Sequence, residues 1–164
     1  MKKIALLVVV LTGCSDEADI GVDMNPVTCA QVGGAEVNGT IHKAASPDSP
    51  ERDIEFGAVT PSVASTTGGA GQTLTLSASE ASLSIAFRCG DAELKPYDVV
   101  EQTRDQLACP YVVTAFVSGQ LFPFTTAKDG KVIVDENSNC LAGRFAIDLG
   151  DGNELSGWFS SAWQ

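Results

Sequence analysis

His42 is the one histidine in this 164-residue chain, so Ser-His-Asp or Cys-His catalysis would have to run through it. No serine sits in a G-x-S-x-G elbow, and each cysteine has another assignment below, which leaves His42 without a nucleophile. It reads as a surface or strand-end residue. Glycosidase chemistry asks only for two carboxylates at a set separation, and 21 acidic residues supply many pairs. Asp148, Asp151 and Glu154 cluster near one another, and Asp53 and Glu55 alternate; solvated turn and strand-face positions account for both groups. The run from Asp135 to Asn139 has oxygen ligands at alternate positions. It lacks the glycine that a calcium loop needs where Cys140 stands, and the bidentate glutamate where Ala146 stands, so it reads as a polar turn. The glycine-rich run from Thr66 to Gly71 lacks the lysine of a phosphate-binding loop. The sequence therefore names no catalytic residue, no metal ligand and no cofactor, and points away from an enzyme.

Five cysteines carry the remaining chemistry. Cys14 ends the sequence's most apolar run. Met1 to Gly13 has the parts of an export signal: Lys2 and Lys3, an apolar core from Ile4 to Leu11, and small residues before a cleavage point. That core is far shorter than the roughly 20 residues of a membrane-spanning helix. Leu11, Thr12, Gly13 and Cys14 resemble, position by position, the lipobox of bacterial lipoprotein precursors. The resemblance covers the leader alone. It implies that Cys14 is acylated and becomes the first residue of the mature chain, so that membrane lipid is a partner. More than one acyl chain gives stable anchoring. With Ser15 rather than Asp after the cysteine, resemblance to enterobacterial sorting implies the outer membrane. The following acidic residues also resemble export tags of surface lipoproteins, so the body faces the periplasm or the cell surface.

The other four cysteines, Cys29, Cys89, Cys109 and Cys140, are too widely spaced for the short ligand pairs of a zinc site. In an oxidising compartment they form two disulfides. Four cysteines allow three pairings. Alternation puts Cys89 in phase with Leu83, Ile85 and Phe87, and Cys109 in phase with Tyr111 and Val113, which favours Cys89 with Cys109. Cys29 and Cys140 would then tie the first ordered segment to the penultimate strand.

The elements that hold these residues read as strands. Apolar and polar residues alternate over 72–78, 82–89, 110–118, 121–126, 131–135, 141–149 and 154–163, and more weakly over 35–43 and 53–60. Asp129-Gly130 and Asp151-Gly152-Asn153 look like hairpin turns. The segments 44–52 and 61–71 read as exposed loops, and Pro96 as the start of a short helix within 91–108. The expected fold is all-β, an antiparallel β-sandwich or small β-barrel of about eight or nine strands with one short helix. The domain plan is a signal peptide at 1–13, lipidated Cys14 with an acidic tether at 14–26, and one β-rich domain at 27–164.

With 21 acidic against 10 basic residues, the chain is a poor match for nucleic acid, whose binding depends on clustered cations. Phe122, Phe124, Trp158 and Trp163 sit at strand spacing and read as core or interface residues. Trp158 alternates with Phe159, which places it on an outer face as a candidate contact. The expected function is a non-catalytic envelope module binding a protein, glycan or small ligand. The alternatives are a lipocalin-like carrier and a small carboxylate-dependent hydrolase.

Overall fold

The computed structural model describes residues 25–44, 51–65, 71–88, 90–101, 113–119 and 124–163. The leader, Cys14, the acidic tether as far as residue 24, Cys89, Cys109 and Phe122 lie outside these residues.

The described chain is all-β and sandwich-like, as its alternation implies. Its strands are β1 (Gly34–Asn38), β2 (Thr40–Ala44), β3 (Glu51–Glu55), β4 (Thr60–Ser65), β5 (Gly71–Ser77), β6 (Ala81–Arg88), β7 (Pro96–Asp98), β8 (Val113–Gly119), β9 (Thr125–Thr126), β10 (Asp129–Asn137), β11 (Cys140–Asp148) and β12 (Glu154–Ala162). One five-stranded antiparallel sheet has the order β1-β12-β11-β10-β7 and a second the order β4-β5-β6-β8-β9, while β2 and β3 form a separate ribbon. Alternation sets which side chains meet between the sheets. Val37, Val132, Phe145, Ile147, Leu155 and Phe159 from the first sheet are buried with Val63, Leu74, Leu76, Leu83, Ile85 and Val117 from the second.

Single parallel bridges join the sheets at both seams: Val63 of β4 meets Trp163 just past β12, and Val99 just past β7 meets Val113 of β8. These single bridges bring the margins of the two sandwich sheets together at each side, while the sheets stay separate.

The last hairpin owes its packing to a repeated Gly-x-Phe. Gly143 pairs with Phe159 across the strands, and Phe145 pairs with Gly157. A Cβ on Gly157 would lie 1.9 Å from the Glu36 carbonyl oxygen and 2.9 Å from the Phe145 ring. The glycines make the room that the reciprocal phenylalanine rings fill. The turn behind this pair has positive φ at Asp151 (56°) and Gly152 (77°), and the Asn153 N–H donates to the Gly150 carbonyl at 3.0 Å. Two positive-φ central residues are what a tight hairpin with the native strand twist requires.

Four local expectations are corrected. Asp129-Gly130 is the opening of β10, with Asp129 opposite Asp148, and not a turn; its glycine lets the backbone pass close to the Ala146 carbonyl, 2.5 Å from where a Cβ would stand. The stretch 61–71 is not wholly a loop, since β4 takes its first half as an edge strand, where Pro61 costs no ladder bond. Pro96 begins β7 and not a helix. Lying at the sheet edge opposite Ile133, it is harmless without an N–H, and it leads to Tyr97, whose buried ring meets Phe87 edge-on at 5.4 Å. The remainder of the expected helix, from 102 onward, lies outside the described residues. Finally, the weak strand expected over 35–43 is two strands broken at Gly39. There φ is +119°, and a Cβ would collide with the Glu154 carbonyl.

Candidate functional site

The chemistry-bearing side chains gather where the N-terminal segment crosses the outer face of the first sheet. Their placement starts from a β-bulge. Val134 pairs with Gly143 and Glu136 with Ala142, so Asp135 is an extra residue in β10. A bulge re-aims the side chains around it, and here both neighbouring carboxylates reach the segment Val27–Cys29. Asp135 Oδ2 accepts the Val27 N–H at 3.0 Å, and Glu136 Oε2 accepts the Cys29 N–H at 2.7 Å. The Ser160 hydroxyl donates to the Thr28 carbonyl at 3.2 Å. Cys29 is disulfide-bonded to Cys140, the pairing expected for these two cysteines. One covalent bond and three hydrogen bonds thus strap the segment to β10, β11 and β12.

Arg144 supports the strap from below. Its Nε and Nη2 donate to the two oxygens of Asp135 at 3.1 and 3.3 Å. The Asp135 and Arg144 side chains are 8% and 16% exposed, so this pair is largely shielded from water, and removing either residue would break a desolvated ion pair.

Trp158 lies beside Arg144 in the adjacent strand and beside Glu36 in β1. It is on the face opposite Phe159, as alternation required. It is half-buried rather than an open contact residue, because the strap covers that face. Val27, Cys140 and Ala142 form a small apolar cluster against which Cys29 and the indole pack. The ring also lies over Gly34, where a Cβ would come within 2.8 Å of it, and its Nε1 donates to Glu36 Oε2 at 3.0 Å. That bond, then a second from Asn38, holds the Glu36 carboxyl below the ordinary glutamate range, against a smaller opposing effect of burial.

The remaining candidates are dispersed. His42 stands in mid-strand with its ring exposed, Nδ1 2.6 Å from Asp53 Oδ1 across the ribbon, while its backbone N–H donates to the buried Asn153 side chain at 2.7 Å. Asp148 accepts the Gly150 N–H at 2.7 Å, and Asp151 occupies the turn itself. Phe124 is 57% exposed and stacks on Phe116 with ring centroids 4.7 Å apart; it is a surface residue and not part of the core. Among the described residues, no group of three or more His, Cys, Asp or Glu side chains is placed to hold a metal ion.

No family model, curated protein or solved structure matches the chain.

Two features of this site had no sequence signature. The Asp135–Arg144 pair and the Glu136–Cys29 bond depend on the bulge, and in sequence both acids read as members of a polar turn. The bulge itself left one faint trace, the polar pair interrupting alternation after Val134.

Proposed function

We propose that this chain is an outer-membrane lipoprotein held by acylated Cys14, a non-catalytic envelope module that faces the periplasm or the cell surface and binds an envelope protein, glycan or small ligand. The observation that carries the reading is the strap. An acidic tether that follows a lipobox cysteine leads directly into a segment fixed to the sheet by the Cys29–Cys140 disulfide and by the Asp135 and Glu136 carboxylates. A disulfide is at home in an oxidising, extracytoplasmic compartment. Tension on a lipid anchor would pass through it into the central strands β10 and β11, and would not peel β1 from the sheet edge. A binding role accords with an interior filled by side chains such as Phe145, Phe159 and Leu74, which leaves the surface for recognition.

The test is fractionation of cell envelopes by density gradient with the wild-type chain and Cys14→Ala. Wild type should take up labelled palmitate and sediment with outer membranes, and the variant should do neither. Tight membrane association of Cys14→Ala would refute the anchor.

A further inference from the structure

We infer that the outer face of the second sheet carries a binding site for a neutral saccharide chain, built around a hollow at the β5–β6 turn and an adjoining aromatic platform. The inference rests on the reading of the chain as a displayed binding module and specifies its ligand. The hollow, about 300 Å³ and open to solvent, has Ser79, Glu80, Ser82, Ser118 and Gly119 among its walls. This is at the lower end of the volumes that small-ligand sites occupy, about 300 to 1,000 Å³.

Register shows what continues it. Ser77, Ser82 and Ser118 form one cross-strand row, and Thr75, Ser84 and Phe116 form the next. The first row carries three hydroxyls and no charge; in the second, Ser84 is buried and Phe116 has no hydroxyl, so the hydroxyls open to a ligand are chiefly those of the first row. Thr125 pairs with Val117, so Phe124, one residue earlier, comes alongside Ser118, a residue of the hollow's wall. Its ring, exposed and stacked on Phe116, gives a flat apolar surface beside the polar walls.

These three elements match one ligand chemistry. A pyranose offers hydroxyls in several directions and an apolar face of C–H groups. Serine hydroxyls both donate and accept, and a carboxylate accepts from adjacent sugar hydroxyls. An aromatic ring covers the C–H face. Glu80, in a chain with 21 acidic against 10 basic residues, disfavours anionic sugars, which makes the ligand neutral.

Strand direction places the site at the useful end of the molecule. β4 runs parallel to β12 at the Val63–Trp163 bridge, so the β5–β6 turn points the same way as the β11–β12 turn. The strap enters at the opposite end, beside the β10–β11 turn and Cys140. The hollow therefore faces away from the end at which the tether joins.

The test is titration of the full acylated chain, in a non-glycosidic detergent, with oligosaccharides of cellulose, xylan, mannan, starch and chitin, and with an oligogalacturonate as the anionic control. At least one neutral oligosaccharide should bind with a millimolar or tighter Kd. Phe124→Ala and Glu80→Gln should each weaken that binding, Phe124→Ala by about tenfold or more, with the thermal unfolding midpoint unchanged in both. Binding to none of the neutral series, to the anionic control alone, or with an affinity that both variants leave intact would overturn the assignment. Membrane fractionation of Cys14→Ala is read independently of saccharide titration, so a failure of the anchor and a failure of the site are distinguishable.

Discussion

Asp135 accepts the backbone N–H of Val27 across 108 residues of sequence, through the same carboxylate that pairs with Arg144. One side chain therefore joins the domain's first fixed segment to its central hairpin. Asp135→Ala should remove both contacts and take from Arg144 the carboxylate that its Nε and Nη2 both reach. Breaking such a pair typically costs about 3 to 5 kcal/mol, and the partial exposure of Arg144 places the expectation near the lower figure. Urea unfolding should show a reduced midpoint, and amide exchange at Val27 should accelerate more than at Leu155 in the core. A midpoint within error of wild type would show that the clamp does not contribute to stability.

Glu36 and Trp158 give a pH signal. Since the indole N–H holds the Glu36 carboxyl below the ordinary glutamate range, the folded state binds that proton more weakly than the unfolded chain. The bond's contribution is complete above the unfolded value and is lost as pH falls through the folded one. In a Trp163→Phe background, indole emission should titrate at a pH below that of a free glutamate. Glu36→Gln should abolish the step. A titration that survives this substitution would assign the signal to another group.

Gly157 is required by both of its neighbours. Alanine there would press on the Glu36 carbonyl and on the Phe145 ring together, so β1 or the core must shift. Overpacking of this kind costs about 1 to 3 kcal/mol, and the contact with backbone argues for the upper part of that range. Gly152→Ala is the contrast. No atom lies near its Cβ position, so its cost should come from the positive φ alone and be smaller. Thermal melts of the two variants would check the order, and an equal loss in both would contradict the packing account.

How much of this was legible beforehand follows from the range of each interaction. Alternation across 72–78, 82–89, 141–149 and 154–163 specified strands and inward faces, because a period of two needs no partner to be visible. The Asp151-Gly152 turn was legible for the same reason, as a local demand on φ. Asp129-Gly130 was misread because the same dipeptide also serves a close backbone crossing, and that crossing is made by β11. Pro96 was misread because a proline that can open a helix can also occupy a sheet edge.

The sequence by itself determined that this is a β-rich chain with alternating faces and with 21 acidic against 10 basic residues. Cys29 and Cys140 could be paired by setting Cys89 and Cys109 together, although those two lie outside the described residues. Tertiary structure decided the rest: the bridges at the two seams, the bulge at Asp135, the strap that half-covers Trp158, and the hollow at the β5–β6 turn. Each is a meeting of strands distant in the chain. Local propensity constrains one strand's shape and faces, while the neighbour that completes a site is chosen by the packing of the whole sheet.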